Sequence, residues 1–359
     1  MNLRIPGPTP LPPEVRQVLG QDMISHRDVE FETLLGEVTR HLCHFFQTTS
    51  DVLVFTASGT GGLEAALVNV LSPDDRVLAV STGAFGERFA DIARAFGACV
   101  QQLDFPWGQA LDVDVVGQAL QSDPSLRLLL TTHNETSTGV LNDLASLAGV
   151  VRSLSARRPL WLVDAVSSLG AVDLPMDKWG CDVVISASQK AWMAPPGLAF
   201  VGVSARAWAA ISQAQCPRYY WDLLSARAFA AKGQTPFTPA VSSLYGLRAS
   251  LASMVREGLP SIVARHRRLA DQLRDGLKTL GLRLFADQAH ASPTVTALYA
   301  PQGVSAVEMK RRLMAEHGIA VAAGVGRFKD NVLRIAHMGY CSSADMEKVL
   351  IGLRALLHV

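Results

Sequence analysis

One lysine in this chain stands where amine chemistry is expected. Lys190 follows the apolar run Val183–Ser186 and precedes a Pro-Pro-Gly turn at Pro195–Gly197, and it is one of only seven lysines in 359 residues, against 26 arginines. A lysine among apolar residues loses its proton more readily than a solvated one, and its free amine is a nucleophile and a base. The position therefore predicts a reactive amine rather than a solvated charge.

Further polar candidates follow other apolar runs of the chain. Asp164 ends one run, the glycine-rich turn Ser58–Gly62 follows a second, and the polar segment His133–Gly139 follows a third. Each has a structural alternative on its own, namely a salt bridge, a helix cap or a capped loop. Together they supply a carboxylate, an anion-binding turn, a hydroxyl group and an amine, which is the set that pyridoxal phosphate requires.

The apolar runs predict the sheet that positions these groups. They are too short for helices and are bounded by polar or Gly/Pro residues, which is typical of buried parallel strands. Their alternation with helical stretches predicts an α/β domain with helices on both faces, where ligands bind at the carboxyl ends of the strands. The predicted strands are Val52–Thr56, Arg76–Ser81, Leu126–Thr132, Leu160–Asp164, Val183–Ser186 and Ala199–Val203, and the predicted helices are Gly62–Val70, Glu87–Phe96, Val115–Gln121 and Leu144–Leu154.

The pattern changes after about Gly258. The sequence there predicts a smaller α+β domain over residues 258–359, following a large domain over residues 1–257 that begins with an N-terminal arm over residues 1–14. The predicted elements of the smaller domain are helices at Ser261–Leu280 and Ser305–His317 and short strands near Leu282–Phe285, Thr294–Tyr299 and Val332–Ile335.

Composition excludes several classes of protein. A net charge of +1, with no basic run beyond Arg265–Arg268, argues against nucleic-acid binding. The chain contains no run of about eighteen apolar residues and does not begin like a signal peptide, so we expect a soluble cytoplasmic protein. Its five cysteines form no CxxC pair, which predicts neither a disulfide framework nor a zinc site.

Motifs along nearly the whole chain identify a resemblance to a known family. The chain resembles the class V, fold-type I pyridoxal-phosphate-dependent aminotransferases, specifically the alanine/serine–glyoxylate (serine–pyruvate) group. The motifs that carry the resemblance are PGPTPLPP at Pro6–Pro13, SHRDVEF at Ser25–Phe31, ASGTGGLEAAL at Ala57–Leu67, THNETSTGVLND at Thr132–Asp143, LVDAVSSLG at Leu162–Gly170, SASQKAWMAPPG at Ser186–Gly197, FTPAVSSLYGLR at Phe237–Arg248 and LRIAHMG at Leu333–Gly339.

The resemblance implies a role for each matched residue. Lys190 would be the Schiff-base lysine, and Asp164 would pair with the pyridine nitrogen of the cofactor. Arg334 would bind the substrate α-carboxylate, and the backbone of Gly7 would line the substrate pocket. The other residues implied to contact the cofactor are Ser58, Gly59 and Thr60 at the phosphate, Phe85 and Val166 at the ring, Thr136 at the 3-hydroxyl, Gln189 beside the lysine, and Thr238 at the phosphate of a neighbouring subunit's cofactor, so that a homodimer forms the active site.

Two departures from the family bear on the substrate. Phe85 stands where a tryptophan is common, and the stretch Thr235-Pro236-Phe237 replaces a family segment that contains a tyrosine, which removes a possible phosphate ligand. We expect ping-pong transfer from a small neutral amino acid, alanine or serine, to a small 2-keto acid, glyoxylate or pyruvate. His26 and Arg27 leave open a second anion contact, which would admit acidic or aminophosphonate donors, or a surface pair.

Other reactions on the same scaffold are the alternatives to transamination. A pyridoxal-phosphate lyase stays open, because a fold does not fix the reaction. A non-catalytic scaffold subunit is the least favoured, and a cysteine desulfurase is disfavoured because the segment Ala320–Val332 contains no cysteine.

Overall fold

The strands and helices come from a computed structural model that describes residues 1–155 and 158–357. Positions 156, 157, 358 and 359 fall in the two predicted domains and lie outside the described residues. The strands, in chain order, are β1 (Asn2–Leu3), β2 (Asp51–Ala57), β3 (Arg76–Ser81), β4 (Cys99–Asp104), β5 (Leu128–Thr132), β6 (Asn134–Glu135), β7 (Val140–Leu141), β8 (Leu160–Asp164), β9 (Val183–Ala187), β10 (Gly197–Val203), β11 (Val295–Tyr299), β12 (Ile319–Ala320), β13 (Ala322–Ala323) and β14 (Val332–Ala336).

The α-helices cover both ends and the middle of the chain. In the same order they are α1 (Pro13–Val18), α2 (Val29–Phe46), α3 (Gly59–Val70), α4 (Ala84–Ala95), α5 (Val113–Ser122), α6 (Leu144–Ser153), α7 (Met176–Trp179), α8 (Ala205–Ile211), α9 (Leu223–Ala230), α10 (Val241–Glu257), α11 (Leu259–Thr279), α12 (Ala306–His317) and α13 (Ser343–Leu357).

The main sheet confirms the predicted α/β class. Its strands lie in the order β2-β10-β9-β8-β5-β3-β4, and β9, β8, β5, β3 and β4 run parallel to one another. The expectation that Ala199–Val203 forms a parallel strand was wrong, because β10 pairs antiparallel with both β2 and β9. Its cause is the connection between β9 and β10, which spans only residues 188–196 and is too short for the crossover that a parallel pair needs.

Several elements differ from the sequence expectations. The edge strand β4 was not predicted because its sequence, CVQQLD, has no apolar run, and its only partner in the described chain is β3. The helices α2 and α10 were also not predicted. The expected strand near Leu282–Phe285 is replaced by an isolated bridge between Leu284 and Leu298, held by hydrogen bonds from Phe285 N to Ala297 O and from Tyr299 N to Arg283 O, both 2.9 Å.

Alternate residues of the main strands feed two separate hydrophobic cores. In β8, Trp161 and Val163 join the core on one face, with residues of α2, α6 and α10, whereas Leu160 and Leu162 join the core on the other face, with residues of α3, α4 and α8. Successive side chains of a strand point to opposite faces, so a sheet covered on both sides reads as a continuous apolar run. This burial fixes the strand ends, where the polar candidates begin.

The chain after α10 builds a second layer around its own core. β11, β14 and β13 form an antiparallel sheet, and α11, α12 and α13 contribute to the core beneath it. The N-terminal strand β1 pairs in parallel with β12, so the first residues of the chain join this layer. The division into domains at residues 257 and 258 stays a prediction.

Candidate functional site

Lys190 lies just beyond β9, at the carboxyl edge of the main sheet, as the sequence predicted. Its Nζ donates a hydrogen bond to the carbonyl oxygen of Pro6 in the N-terminal arm. Removal from water, together with the positive charges of Arg334 and Arg88, lowers the pKa of Lys190 to about 8, against an opposing effect of Asp164. A lysine with this pKa has a substantial fraction of free amine near neutral pH, which a nucleophile requires.

Asp164 is the last residue of β8, the strand next to β9, and is only 4% exposed. Its Oδ1 accepts a hydrogen bond from Val166 N at 2.9 Å, and no hydrogen bond reaches its Oδ2 from the described residues. Burial, with a smaller contribution from the charge of Glu135, raises the pKa of Asp164 to about 7, although the hydrogen bond from Val166 N opposes the shift. A buried carboxylate with a free oxygen is costly unless a cation meets it.

The predicted phosphate cradle lies at the N-terminus of α3, which packs on β9 and β10. Ser58 is the N-cap residue, and its Oγ accepts a hydrogen bond from Gly61 N at 3.3 Å. A Cβ on Gly59 would come within 3.1 Å of the Val166 side chain, so this turn lies against the segment that follows Asp164. Free backbone N–H groups at a helix N-terminus, with the hydroxyl groups of Ser58 and Thr60, form an anion-binding surface.

Glu135 is a buried carboxylate that the sequence analysis did not single out. Its Oε2 accepts hydrogen bonds from Phe85 N and Gly86 N, both at 3.1 Å, and its Oε1 accepts from Ser137 N at 3.0 Å and from Ser137 Oγ at 2.6 Å. Burial raises the pKa of Glu135, while these donors oppose the shift. The carboxylate therefore fixes the first turn of α4, which carries the predicted ring-stacking residue Phe85.

A hydroxyl and amide network surrounds Thr136, the residue predicted to contact the cofactor's 3-hydroxyl. Thr136 Oγ1 donates to Ser167 Oγ at 2.7 Å, and Asn134 Nδ2 donates to the same oxygen at 2.8 Å. Ser167 Oγ in turn donates to Asn134 O at 2.9 Å, which leaves the lone pairs of Thr136 Oγ1 able to accept. Asn134 and Ser167 were missed from sequence, although both lie inside quoted motifs.

Arg334 projects from β14 and connects the second sheet to this edge. Its Nε donates to Ala323 O at 3.0 Å and its Nη1 donates to Thr136 O at 3.2 Å. Within the described chain no acceptor meets Nη2, so part of the guanidinium is free for a ligand. Removal from water lowers the pKa of Arg334 to about 10, and Glu135 opposes this shift, so the group is a fixed cation at neutral pH.

The N-terminal arm closes the site over Lys190. Gly7 has a φ of +128°, and a Cβ on it would lie 2.8 Å from Lys190 Nζ. Thr9 N donates to Gln189 O at 3.0 Å, and Thr9 Oγ1 donates to Lys190 O at 2.9 Å. The structure thus brings Gly7, Gln189 and Lys190 together through an irregular segment of the chain that sequence periodicity does not reveal.

No hydrogen bond of the described chain joins Thr238, His26 or Arg27 to this cluster. Thr238 is exposed, and no hydrogen bond of the described chain joins it to the cradle. Arg27 donates from Nη1 to Thr235 O at 2.6 Å and to Gln234 Oε1 at 3.2 Å, and from Nη2 to Pro236 O at 3.2 Å. Its guanidinium therefore holds the segment before Thr238 within its own subunit.

The residues present fit pyridoxal phosphate. Two buried polar atoms without a hydrogen-bond partner, Asn134 Oδ1 and Gln189 Oε1, belong to the segments around Thr136 and Lys190. The donor set is the one this cofactor needs, because it combines an amine of lowered pKa, a carboxylate with a free oxygen and an anion-binding turn. Over residues 1–155 and 158–357, no group of His, Cys, Asp and Glu side chains has the arrangement of a metal site. No helix in the same ranges is long and apolar enough to cross a membrane.

This fold and this edge of the sheet define a pyridoxal-phosphate-dependent enzyme of fold type I. The family model for class V aminotransferases matches residues 8–337, and the chain belongs to that family. It is a pyridoxal-phosphate-dependent aminotransferase.

The comparisons include relatives with different names. A protein of Anabaena cylindrica named soluble hydrogenase 42 kDa subunit is 43% identical, over 99% of this chain and 92% of its own length. The L-aspartate–glyoxylate aminotransferase of Paracoccus denitrificans is 37% identical, over 95% of this chain and 87% of its own. The crystal structure of an alanine–glyoxylate aminotransferase from Nostoc sp. superimposes with a TM-score of 0.94 at 30% identity, covering 99% of this chain and 94% of that one.

Proposed function

We propose that this aminotransferase moves the amino group of a small neutral amino acid, alanine or serine, to a small 2-keto acid, glyoxylate or pyruvate. The observation that carries the proposal is Arg334, whose Nε and Nη1 are held by backbone carbonyl groups while the rest of its guanidinium stays free. A guanidinium fixed in this way binds one carboxylate and sets the orientation of the substrate. The other candidate anion contact, Arg27, uses its guanidinium N–H groups in hydrogen bonds to residues 234–236.

The residues divide the work of the reaction among them. When bound, pyridoxal phosphate supplies the aldehyde carbon that takes up the amino group and a ring that accepts the electrons of the substrate's Cα–H bond. Asp164 would hold a proton at the pyridine nitrogen, and Ser58, Gly59 and Thr60 would hold the phosphate. Phe85 and Val166 would pack on the two faces of the ring, while Thr136 and Gln189 would fix its orientation.

Lys190 would first bond to the cofactor and, once the substrate amine displaces it, would move a proton at the substrate Cα. Its lowered pKa suits this base role, because a catalytic base works best when its pKa lies near the working pH. Because Gly7 has no side chain, it would leave room for the Lys190 amine to move. The reaction then runs in reverse on the keto acid, which Arg334 would bind through the same carboxylate contact.

A screen of single half-reactions tests this proposal. The holoenzyme is mixed with alanine, serine, aspartate or 2-aminoethylphosphonate, and loss of the visible absorption band of the lysine-bound cofactor is followed. We expect the fastest loss with alanine or serine. Because Lys190→Ala cannot form this band, its half-reaction is followed through the keto acid formed, and its rate should be about 10²–10⁴-fold lower. Lys178→Ala, which removes an exposed lysine of α7, is the matched control and keeps the wild-type rate.

An acidic donor is the second candidate, and one observation favours it. Arg88 is a further cation near the site, close enough for its charge to lower the pKa of Lys190, and one relative is named for aspartate as donor. A faster half-reaction with aspartate than with alanine would select this candidate over the first.

We also propose that the site is completed by a second copy of the chain. Tyr219 is 82% exposed and Met23 is 61% exposed, and the Tyr220 and Phe237 rings stack with centroids 5.0 Å apart. Exposed aromatic surface of this kind is typical of a protein interface, and Thr238 follows Phe237 directly.

Mixing two inactive variants tests the shared site. If Thr238 of one subunit serves the cofactor held by Lys190 of the other, co-expressed Lys190→Ala and Thr238→Ala chains form heterodimers with one intact site. We expect activity to reappear in the mixture and the protein to elute as a dimer. A monomer, or a mixture that merely averages the two variants, contradicts the proposal.

A further inference from the structure

The predicted phosphate cradle lacks a formal positive charge. The turn Ser58–Gly62 contains no lysine, arginine or histidine. A helix N-terminus contributes about half an elementary charge, whereas a phosphate ester carries between one and two negative charges at neutral pH. The remaining charge must be balanced by a cation from another part of the chain.

Arg88 lies where such a cation is needed. It follows Phe85 by three residues on α4, so both side chains lie on one face of the helix. The Arg88 guanidinium carbon is 4.8 Å from the centroid of the Phe85 ring, and Arg88 Nη1 is 3.5 Å from Thr60 Oγ1. The stack on Phe85 thus holds the guanidinium beside the third residue of the cradle.

The guanidinium has most of its donors free. In the described ranges Arg88 makes one side-chain hydrogen bond, the long one to Thr60 Oγ1, and no carboxylate oxygen lies within 4.0 Å of it. By contrast, Arg94 on the same helix is paired with Asp91 at 2.8 Å. An arginine carries five N–H donors in a planar fork that fits phosphate oxygens. Its field also reaches the reacting groups, because the charge of Arg88 lowers the pKa of both Lys190 and Asp164.

We propose that Arg88 is a cofactor-binding residue that contacts the phosphate group of pyridoxal phosphate at the cradle formed by Ser58, Gly59 and Thr60. The inference rests on the proposed function, because it takes this turn as the phosphate site. Phe85 then has two roles: its ring packs on the cofactor and also positions the cation that binds the cofactor's phosphate.

Comparing two forms of the cofactor isolates the phosphate contact. The cofactor-free protein is titrated with pyridoxal phosphate and with pyridoxal, which lacks the phosphate. The absorption band gives both dissociation constants, and the ratio compared is that of pyridoxal divided by that of pyridoxal phosphate. We expect Arg88→Gln to lower this ratio by about tenfold, since a charge-assisted hydrogen bond to phosphate is lost. Arg88→Lys, which keeps the charge without the planar fork, should give an intermediate ratio.

Two further measurements complete the test. Arg94→Gln removes a paired arginine of the same helix and should leave the ratio at the wild-type value. Inorganic phosphate should compete with pyridoxal phosphate for the wild-type protein and more weakly for Arg88→Gln. Because Arg88 is exposed, its replacement should leave the melting temperature close to that of the wild type.

The outcomes separate this proposal from the proposed function. An unchanged ratio in Arg88→Gln overturns the phosphate contact. If that variant instead raises KM for aspartate but not for alanine, Arg88 binds the second carboxylate of an acidic donor. A wild-type protein that develops no absorption band with either pyridoxal or pyridoxal phosphate contradicts the proposed function itself.

Discussion

Gly7 lies directly against the amine of Lys190. A Cβ on Gly7 would stand 2.8 Å from Lys190 Nζ and 2.9 Å from its Cδ and Cε, and the φ of Gly7 is +128°, in the region that favours glycine. Two requirements, one on the backbone and one on space, therefore exclude a side chain here. The N-terminal arm is thus part of the site rather than a leading tail, because Thr9 also bonds to the backbone of Gln189 and Lys190.

Gly7→Ala tests this relationship. The new methyl group must displace either the lysine amine or the arm, so we expect weaker bonding of the cofactor to Lys190 and a fall in kcat. Absorbance at saturating cofactor and steady-state kinetics measure the two effects. Gly20→Ala is the matched control, since a Cβ there meets no atom of the described residues within 4 Å. Wild-type absorbance and kcat in Gly7→Ala would show that the arm yields freely.

The lowered pKa of Lys190 predicts how cofactor uptake depends on pH. Only the free amine bonds to the aldehyde, so the rate of uptake by the cofactor-free protein should rise with pH around a midpoint near 8, the pKa of Lys190. Arg334→Gln removes a cation that lowers this pKa, so its midpoint should move to higher pH. Stopped-flow absorbance measures the rates. Arg312→Gln, which removes an arginine paired with Glu316 on α12, should leave the midpoint unchanged.

Strand ends were the part of the site that the sequence could predict. Buried parallel strands read as apolar runs, so the polar residues that follow them, including Asp164 and Lys190, are visible without a structure. The edge strand β4 escaped because it is half-exposed, and the direction of β10 depends on the length of a loop rather than on strand composition. Periodicity reports burial, and it carries no information on direction.

Contacts between distant segments account for what the sequence left out. Glu135 binds the N-terminus of α4, fifty residues earlier in the chain, and no local pattern pairs the two. In the sequence, the one sign that Glu135 has a special role is that it is a carboxylate within the hydroxyl-rich segment after β5. Arg88 was missed for the same reason, since its neighbour Thr60 lies on another helix. Family resemblance transfers known roles to matched positions, whereas these contacts come from the geometry.

Asp164→Asn should change how stability depends on pH. The pKa of Asp164 is about 7 in the folded protein and near 3.8 when unfolded, so between these values the unfolded chain releases a proton that the folded chain retains. Stability of the cofactor-free wild type should therefore fall as pH rises from about 4 to about 7 through this residue, and level off above. Asparagine does not ionise, so this loss of stability with rising pH is absent from Asp164→Asn.

Melting temperatures of the two cofactor-free proteins measure this effect. The difference, Asp164→Asn minus wild type, should increase between about pH 4 and pH 7. With pyridoxal phosphate added, the wild type should melt at the higher temperature. Only the aspartate can pair with a protonated ring nitrogen, and tighter binding stabilises the folded state. A difference that stays constant with pH would contradict a raised pKa for this carboxyl group.

Glu135 should matter for both stability and the position of Phe85. Gly83 at the N-cap of α4 has no side chain, and a Cβ there would lie 2.5 Å from Ser137 Oγ and 2.6 Å from Glu135 Cγ. The first N–H of the helix, on Ala84, therefore donates to Ser137 Oγ, and the next two, on Phe85 and Gly86, donate to Glu135. Glu135→Ala leaves buried donors without acceptors and should lower the free energy of unfolding by about 3 kcal/mol.

The effect of Glu135 on the position of the Phe85 ring can be separated from its effect on overall stability. Glu135→Gln keeps the volume and one acceptor oxygen, so it should lose less stability than alanine while still disturbing the backbone of Phe85. We expect weaker binding of both pyridoxal and pyridoxal phosphate, because the ring contact is affected. Denaturant unfolding and absorbance titration measure the two effects, with Glu308→Ala, at a partly exposed position in the first turn of α12, as control. If Glu135→Gln bound both cofactor forms as tightly as the wild type, Glu135 would stabilise the fold without positioning Phe85.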